Sequence, residues 1–280
     1  MTAFYELLKT TRQAHHQAGK RNKEQILIFD KICQFIQTQR IVHGGSGLKK
    51  LYYQMPNKPV GRDIFIDYAT KAGLAQKRKK NHIRTTFSVF SIFSNLLANR
   101  TLTDINQAWS GDITYVQIGQ KHGYLFLLMD IYSHRLLGYI ASDSMLASVN
   151  VSCLKMAIRT RKGQPLKDTI HHSDKGSQYI AGDYLLMLQD FKFKISMCTS
   201  ALDNPYSERI NGIIKNEYLE YHRFETLSEL QKILKQSVHH YNYVRPHLAL
   251  NMMTPVEFEK HIQSIKPENR IKLIVSPEHK

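Results

Sequence analysis

Three carboxylates in this sequence have the types and surroundings to do chemistry: Asp112, Asp174 and Glu208, with the amine of Lys215 seven residues beyond the last. All-oxygen donors suit hard divalent cations such as Mg²⁺ or Mn²⁺ and do not suit zinc. Three anions brought together repel one another and resist ionising unless cations neutralise them. Two ions about 3.5 to 4 Å apart meet that need and clamp the attacking and leaving oxygens of a phosphodiester.

Such a site requires elements that carry the three acids to one place. Asn204 is a good helix N-cap and Pro205 fits the first helical position, so Glu208 falls in the first turn, where the positive helix end favours its ionised form. At about 100° per residue, Ile210, Ile213, Ile214 and Tyr218 share one side of this helix, and Glu208, Asn211, Gly212 and Lys215 the other. Asp112 to Val116 alternates like a strand, and Tyr124 to Ile131 is a nearly unbroken apolar run, as a central buried strand would be. Arg135 to Ile140 makes a third strand. Leu146, Val149, Cys153, Leu154, Ala157 and Ile158 then share a helix face. Thr169 to Asp174 is a short strand ending in a carboxylate, Tyr184, Leu185 and Leu188 mark a helix, and Phe193, Ile195 and Met197 alternate in a fifth strand. Three antiparallel strands followed by alternating helices and strands predict an α/β mixed sheet with helices on both faces, with Asp112, Asp174 and Glu208 meeting at one edge.

The bulk numbers narrow the partner. A net charge of +16 over 280 residues points to a polyanion, nucleic acid or an anionic membrane surface. No run of 18 apolar residues spans a bilayer, and the first residues lack a basic stretch followed by an apolar one, so nucleic acid is favoured. Cys33, Cys153 and Cys198 are odd in number and widely spaced, which fits reduced structural thiols in a cytoplasmic protein.

Residues 1–100 read as a helical, helix-turn-helix-like DNA-binding region that ends in a basic linker. Thr10 to His16 reads as the end of one segment, followed by a helix through Ile26, Phe29, Ile32 and Phe35. Two short helices follow, Leu48 to Tyr53 and Arg62 to Tyr68, separated by Pro56, Pro59 and Gly61, and the second is stopped by Gly73. The second helix is the one expected in a major groove, through Arg62. Lys77, Arg78, Lys79 and Lys80 in the linker suit phosphate tracking, with a solvated charge run as the alternative. Residues 101–222 are the catalytic core. Residues 223–280 complete it through a core-facing helix opened by the capping box Thr226 to Glu229, and the last fifteen or so residues read as a loosely held tail.

Four ordered blocks carry a family resemblance: Trp109-Ser110-Gly111-Asp112-Ile113-Thr114-Tyr115; His172-Ser173-Asp174-Lys175-Gly176-Ser177-Gln178-Tyr179; Asp203-Asn204-Pro205 through Glu208 to Lys215; and Tyr241-Asn242-Tyr243-Val244-Arg245-Pro246-His247. Together they resemble the orfB-type DDE transposases of bacterial insertion sequences, in the insertion-sequence-three group of the retroviral integrase superfamily. The resemblance implies a ribonuclease H-like core with Asp112, Asp174 and Glu208 as the catalytic and metal-binding triad for two Mg²⁺ or Mn²⁺ ions. It implies that Lys215 contacts the transposon end, and that water nicks a 3′ end whose freed hydroxyl then attacks another phosphodiester. The implied partners are the element's terminal inverted repeats, target DNA, further copies of the chain on that DNA, and an upstream orfA-type product; the implied location is cytoplasmic and nucleoid-associated. Two departures stand out. The 33 residues between Asp174 and Glu208 are slightly fewer than the family usually has, and no heptad repeat is present. The alternatives are a non-catalytic DNA-binding regulator and a nuclease that cuts without joining.

Other polar residues have quieter readings. Asp130 suits a structural turn-capping role. His171-His172 and His239-His240 lack zinc partners and read as hydrogen-bonding or DNA-facing histidines. Asp203 reads as a turn former. Arg245 and His247 either touch DNA phosphate or close the last helix on the core, and Arg245 is carried forward as a DNA contact.

Overall fold

The structure is a computed structural model that describes residues 11–76, 93–198 and 204–275. The contacts divide the chain into two units, Met1–Ile41 with Ser46–Arg78, and Val42–Gly45 with Lys79–Lys280.

The first unit is helical. Helix α1 (Arg12–Val42) runs for 31 residues without a break, in place of the two segments expected around Thr10 to Phe35, because no proline or C-capping glycine interrupts it. Its Ile32 and Ile36 pack on α2 (Leu48–Gln54) and α3 (Arg62–Lys71) through Leu48, Leu51, Met55, Phe65 and Ala69. Gly73 follows α3 at φ +71, a left-handed conformation that suits glycine after a helix.

The second unit is built on a five-stranded mixed sheet. Its strands are β2 (Ala108–Ile118), β3 (Lys121–Asp130), β4 (Leu136–Ser142), β5 (Ile170–Ser173) and β6 (Lys194–Met197), in spatial order β4-β3-β2-β5-β6. The first three pair antiparallel, and β5 and β6 join parallel to β2. Period-two alternation divides the apolar side chains between two faces. Phe126 and Leu128 face α4 (Ala147–Thr160) and α5 (Gly182–Asp190). Leu125, Leu127 and Met129 face α6 (Pro205–Ile213), the turn that continues it, and α7 (Leu227–Tyr243). Helix α7 starts at the expected capping box, in which Thr226 accepts from the Glu229 N–H and the Glu229 carboxylate accepts from the Thr226 N–H.

Up to Val275, the described part of the C-terminal stretch corrects the expectation of a loose tail. A second capping box at Thr254 and Glu257 opens α8 (Pro255–Ser264), and β7 (Leu273–Ile274) pairs antiparallel with β1 (Thr101–Leu102). Val275 is buried, and the Tyr132 hydroxyl donates to the Ile271 carbonyl. A two-residue strand is too short to leave a periodic trace in sequence.

Candidate active site

Register is what brings the first two acids together. Parallel pairing of β2 with β5 matches Ser110 to His172 and Gly111 to Ser173, so Asp112 and Asp174 are the next residues on neighbouring strands. Strands in a sheet lie about 4.8 Å apart. Burial, then the negative charge of Asp174, then that of Glu208 push the Asp112 carboxyl up to about 7, against hydrogen bonds from the Ile113 N–H and Asn211 that favour its ionised form. Burial raises Asp174 as well, partly offset by the Gly176 N–H, which donates to its Oδ1 at 3.0 Å.

Glu208 and Lys215 come from α6, and the helix is clamped to β2 by small polar side chains. Asn204 stands at the N-cap position but makes no capping bond; its side chain crosses to the strand. The Ser110 hydroxyl donates to Asn204 Oδ1 at 2.5 Å and lies 2.6 Å from the Ser207 hydroxyl, and the Asn204 amide donates to the Gly111 carbonyl. Further along, Asn211 Nδ2 donates to Asp112 Oδ2 at 2.6 Å, and Lys215 Nζ lies 3.4 Å from Thr114 Oγ1. Ser207, Asn211 and Lys215 thus step along the helix beside Ser110, Asp112 and Thr114. The match follows from geometry, since eight helical residues rise about 12 Å and four strand residues about 13.6 Å. Glu208 shares the ridge with Asn211, one turn before it, and is exposed.

After Ile213 the helix widens into a π turn, Ile214–Tyr218, and Lys215 sits in it. Burial lowers the Lys215 amine below its ordinary range. A cavity of about 490 Å³ continues from Lys215 under the β2–β3 turn, with His122, His222 and Arg223 also on its wall.

The donor chemistry fits divalent cations. Each of the three acids supplies oxygen only, and two of them are pushed toward the neutral acid, Asp112 by burial and then by its acidic neighbours, Asp174 by burial. Asn211 Oδ1 is buried beside this group with no hydrogen-bond partner. Yet among the described residues no three His, Cys, Asp or Glu side chains are gathered tightly enough to hold one ion. The two observations measure different ranges. Charges act over about 8 to 10 Å, whereas an octahedral Mg²⁺ at about 2.1 Å from each ligand needs oxygens about 3 Å apart. The acids share an electrostatic neighbourhood and are not drawn into a closed cage.

The other expected site residues fall elsewhere. Arg62 is exposed at the start of α3, its Nε donating to Asp63 at 2.9 Å. Lys77, Arg78, Lys79, Lys80 and Asp203 lie outside the described residues. Arg245 is corrected from a DNA contact to a core residue: it is 4% exposed, and its Nε and Nη2 both donate to Glu217 at 2.9 Å. Asp130 is buried and accepts from the N–H groups of Asn106, Tyr132 and Ser133 while pairing with Arg161. His171 bonds the Tyr184 hydroxyl, and His172 bonds Ser196 and Cys198, so this pair is spent inside the core.

Sequence reading missed two features. Asn211 was visible only as a polar residue on the right helix face, since its partner is 99 residues away. The other is a cluster behind the π turn. His43 stacks on Tyr218 with ring centroids 4.3 Å apart and bonds Glu217 at 2.8 Å, and the Gly45 N–H donates to the Glu217 carbonyl. Nothing near position 43 signals it.

Comparison with known proteins agrees with this architecture. Two models described as integrase core domain match residues 103–201 and 189–255. The uncharacterized 31 kDa protein of insertion element IS600 from Shigella sonnei is 33% identical over 212 residues, which is 73% of this chain and 77% of that protein. The transposase for insertion sequence element IS629, also from Shigella sonnei, is 27% identical over 224 residues, 78% of this chain and 75% of that protein. A chain in the cryoEM structure of the simian T-cell lymphotropic virus intasome in complex with PP2A regulatory subunit B56 gamma superposes with a TM-score of 0.53 at 14% identity, over 80% of this chain and 72% of that one; at that identity the likeness is one of fold. Mixed sheet, flanking helices and matched models define an integrase-core protein with a ribonuclease H-like fold. The chain belongs to the insertion-sequence transposases that carry this core.

Proposed function

We propose that this chain is a DNA transposase that cleaves phosphodiesters at the 3′ ends of an insertion sequence and joins them to target DNA, using Asp112, Asp174 and Glu208 with two Mg²⁺ or Mn²⁺ ions. The carrying observation is the half-buried Asp112 carboxylate on β2, which accepts from Asn211 of α6 at 2.6 Å and is repelled by acids from two other elements. When bound, the ions supply charge neutralisation and polarise the phosphodiester. The protein's own part is positioning. Asn211 fixes the Asp112 carboxylate, and the Ser110, Asn204 and Ser207 clamp holds α6 in register with β2. Glu208, exposed in the first turn of α6, has the side-chain freedom to close toward Asp112. Lys215, a half-buried cation one turn past Asn211, is placed to meet a DNA phosphate.

The partners in this reading are the element's inverted repeats, target DNA, further copies of the chain assembled on DNA, and an upstream orfA-type product, in a cytoplasmic, nucleoid-associated setting. None of the helices is long and apolar enough to cross a membrane among the described residues.

Labelled element-end DNA incubated with Mg²⁺ or Mn²⁺ tests the proposal. Joined products from the wild-type chain, with Asp174→Asn binding the same DNA but leaving it uncut, are the expected result. Cut but unjoined products would reduce the protein to a nuclease, and binding without cleavage to a regulator. Unchanged cleavage by Asp174→Asn would overturn the site assignment.

A further inference from the structure

Around Lys215 the backbone is held in a register that a helix on its own does not choose. The turn Ile214–Tyr218 continues α6 as a π turn, and the Leu219 N–H at its end is shared between the Ile214 carbonyl, five residues back, and the Lys215 carbonyl, four back. The first bond belongs to the π register and the second to an ordinary α-helix, so the turn stands between two arrangements. The wider one persists only where its surroundings over-determine it.

Those surroundings come from outside α6. The Glu217 carboxylate, inside the turn, accepts from Arg245 Nε and Nη2, both at 2.9 Å, and lies 2.8 Å from His43 Nε2. Its main-chain carbonyl accepts from the Gly45 N–H at 2.8 Å, and a Cβ on Gly45 would fall 2.5 Å from Glu217 Cα, so the two backbones are in contact. Tyr218, the next residue, is fully buried, stacks on the His43 ring at 4.3 Å, and its hydroxyl lies 3.0 Å from His240 Nδ1. His43 and Arg245 are buried too, and the planar guanidinium fork fixes the plane of the carboxylate it holds.

The register matters because Lys215 shares the turn. Four α-helical steps carry a residue about 40° round the axis, which would take Lys215 out of line with Asn211. A turn closed over five residues advances less at each step. It leaves Lys215 over β2, with Nζ 3.4 Å from Thr114 Oγ1. We infer that His43, Glu217 and Arg245 are positioning residues for DNA binding: they select the π register of this turn and so aim the Lys215 amine at the phosphate it meets. The inference rests on the proposed DNA contact of Lys215. It gives a part in that contact to three side chains that need not touch DNA, one of them in the residue that follows α1.

Binding of a fluorescent duplex carrying the element's end, measured with the full-length chain in chelator across a salt series, tests this. Glu217→Ala removes the centre of the clamp. His43→Phe keeps a ring on Tyr218 and leaves Glu217 paired with Arg245, so it remains folded should Glu217→Ala not. Glu217→Ala should bind about fivefold more weakly at ~0.15 M salt and lose about 0.9 from the log–log salt slope, the value of one phosphate contact. His43→Phe should lose part of both. In a Lys215→Ala background neither change should weaken binding further. A purely structural role would lower the fraction of folded protein and leave the slope as it is. A wild-type slope in either variant once folded, or losses that add to those of Lys215→Ala, overturns the inference. Lys215→Ala alone separates the inference from the reading beneath it: unaltered affinity and slope in that variant remove the phosphate contact itself, and the inference falls with it.

Discussion

Replacing Asp112 with Asn should stabilise the metal-free protein. The wild-type carboxyl is pushed from 3.8 to about 7 by burial and by the charges of Asp174 and Glu208. Between those values the folded chain binds more protons than the unfolded chain, so stability falls as pH rises through the window and the loss is complete above about pH 7. At about 1.36 kcal/mol per pH unit the full penalty is at most ~4 kcal/mol, and it shrinks to ~0.5 kcal/mol by pH 4. Water at the rim of the site raises the local dielectric and brings the figure nearer ~2 kcal/mol. The Asn side chain removes the charge and still offers an oxygen to Asn211 Nδ2. For a unit of this size each kcal/mol moves Tm by about 2 to 4 °C, so Asp112→Asn should melt several degrees above wild type at pH 8 in chelator. The gap should narrow at pH 6, nearly vanish at pH 4, and shrink again when Mg²⁺ stabilises the wild type alone. A variant no more stable than wild type at pH 8, or a gap that ignores pH, would refute the electrostatic reasoning on which the site rests.

Three further outcomes can be checked. Glu217→Gln removes the charge that pairs with buried Arg245 and should cost about 3 to 5 kcal/mol in urea denaturation, because a buried cation loses its counterion. Gly44→Ala should cost about 1 to 3 kcal/mol, since the new Cβ would fall 2.2 Å from Tyr221 Cγ; a neutral result in the same denaturation would show that the ring moves freely. Asn211→Leu keeps the side-chain volume but frees Asp112 Oδ2, and should lower the cleavage rate about 10²-fold with DNA affinity unchanged, measured by single-turnover kinetics on bound DNA.

The sequence carried the sheet far better than the ends of the chain. Long apolar runs such as Tyr124 to Ile131, and alternation such as Phe193 to Met197, are set by burial on a pleated surface and stay visible in one dimension. The ridge from Glu208 to Lys215 was legible for the same reason, since helical period alone defines it. What stayed hidden depends on distant partners. Whether Asn204 caps its own helix or crosses to Ser110 is decided by a strand 94 residues earlier. Arg245 looked like a DNA contact because charged residues are usually exposed, and only the fold brings Glu217 beneath it. The pairing of Leu102 with Leu273 joins stretches with no local signal of pairing.

Val42–Gly45 belongs to the second unit although it lies more than fifty residues before β1. Its imidazole fills a slot against Tyr218, and its glycines let the main chain pass beneath Tyr221 and Glu217. A fragment begun near residue 100, where composition invites a cut, would therefore be missing a piece of its own interior. The fully buried tyrosine ring would become wet, and the paired glutamate would lose its imidazole partner. Any truncation meant to isolate the catalytic half must keep this tetrapeptide, or supply it from a separate strand of polypeptide.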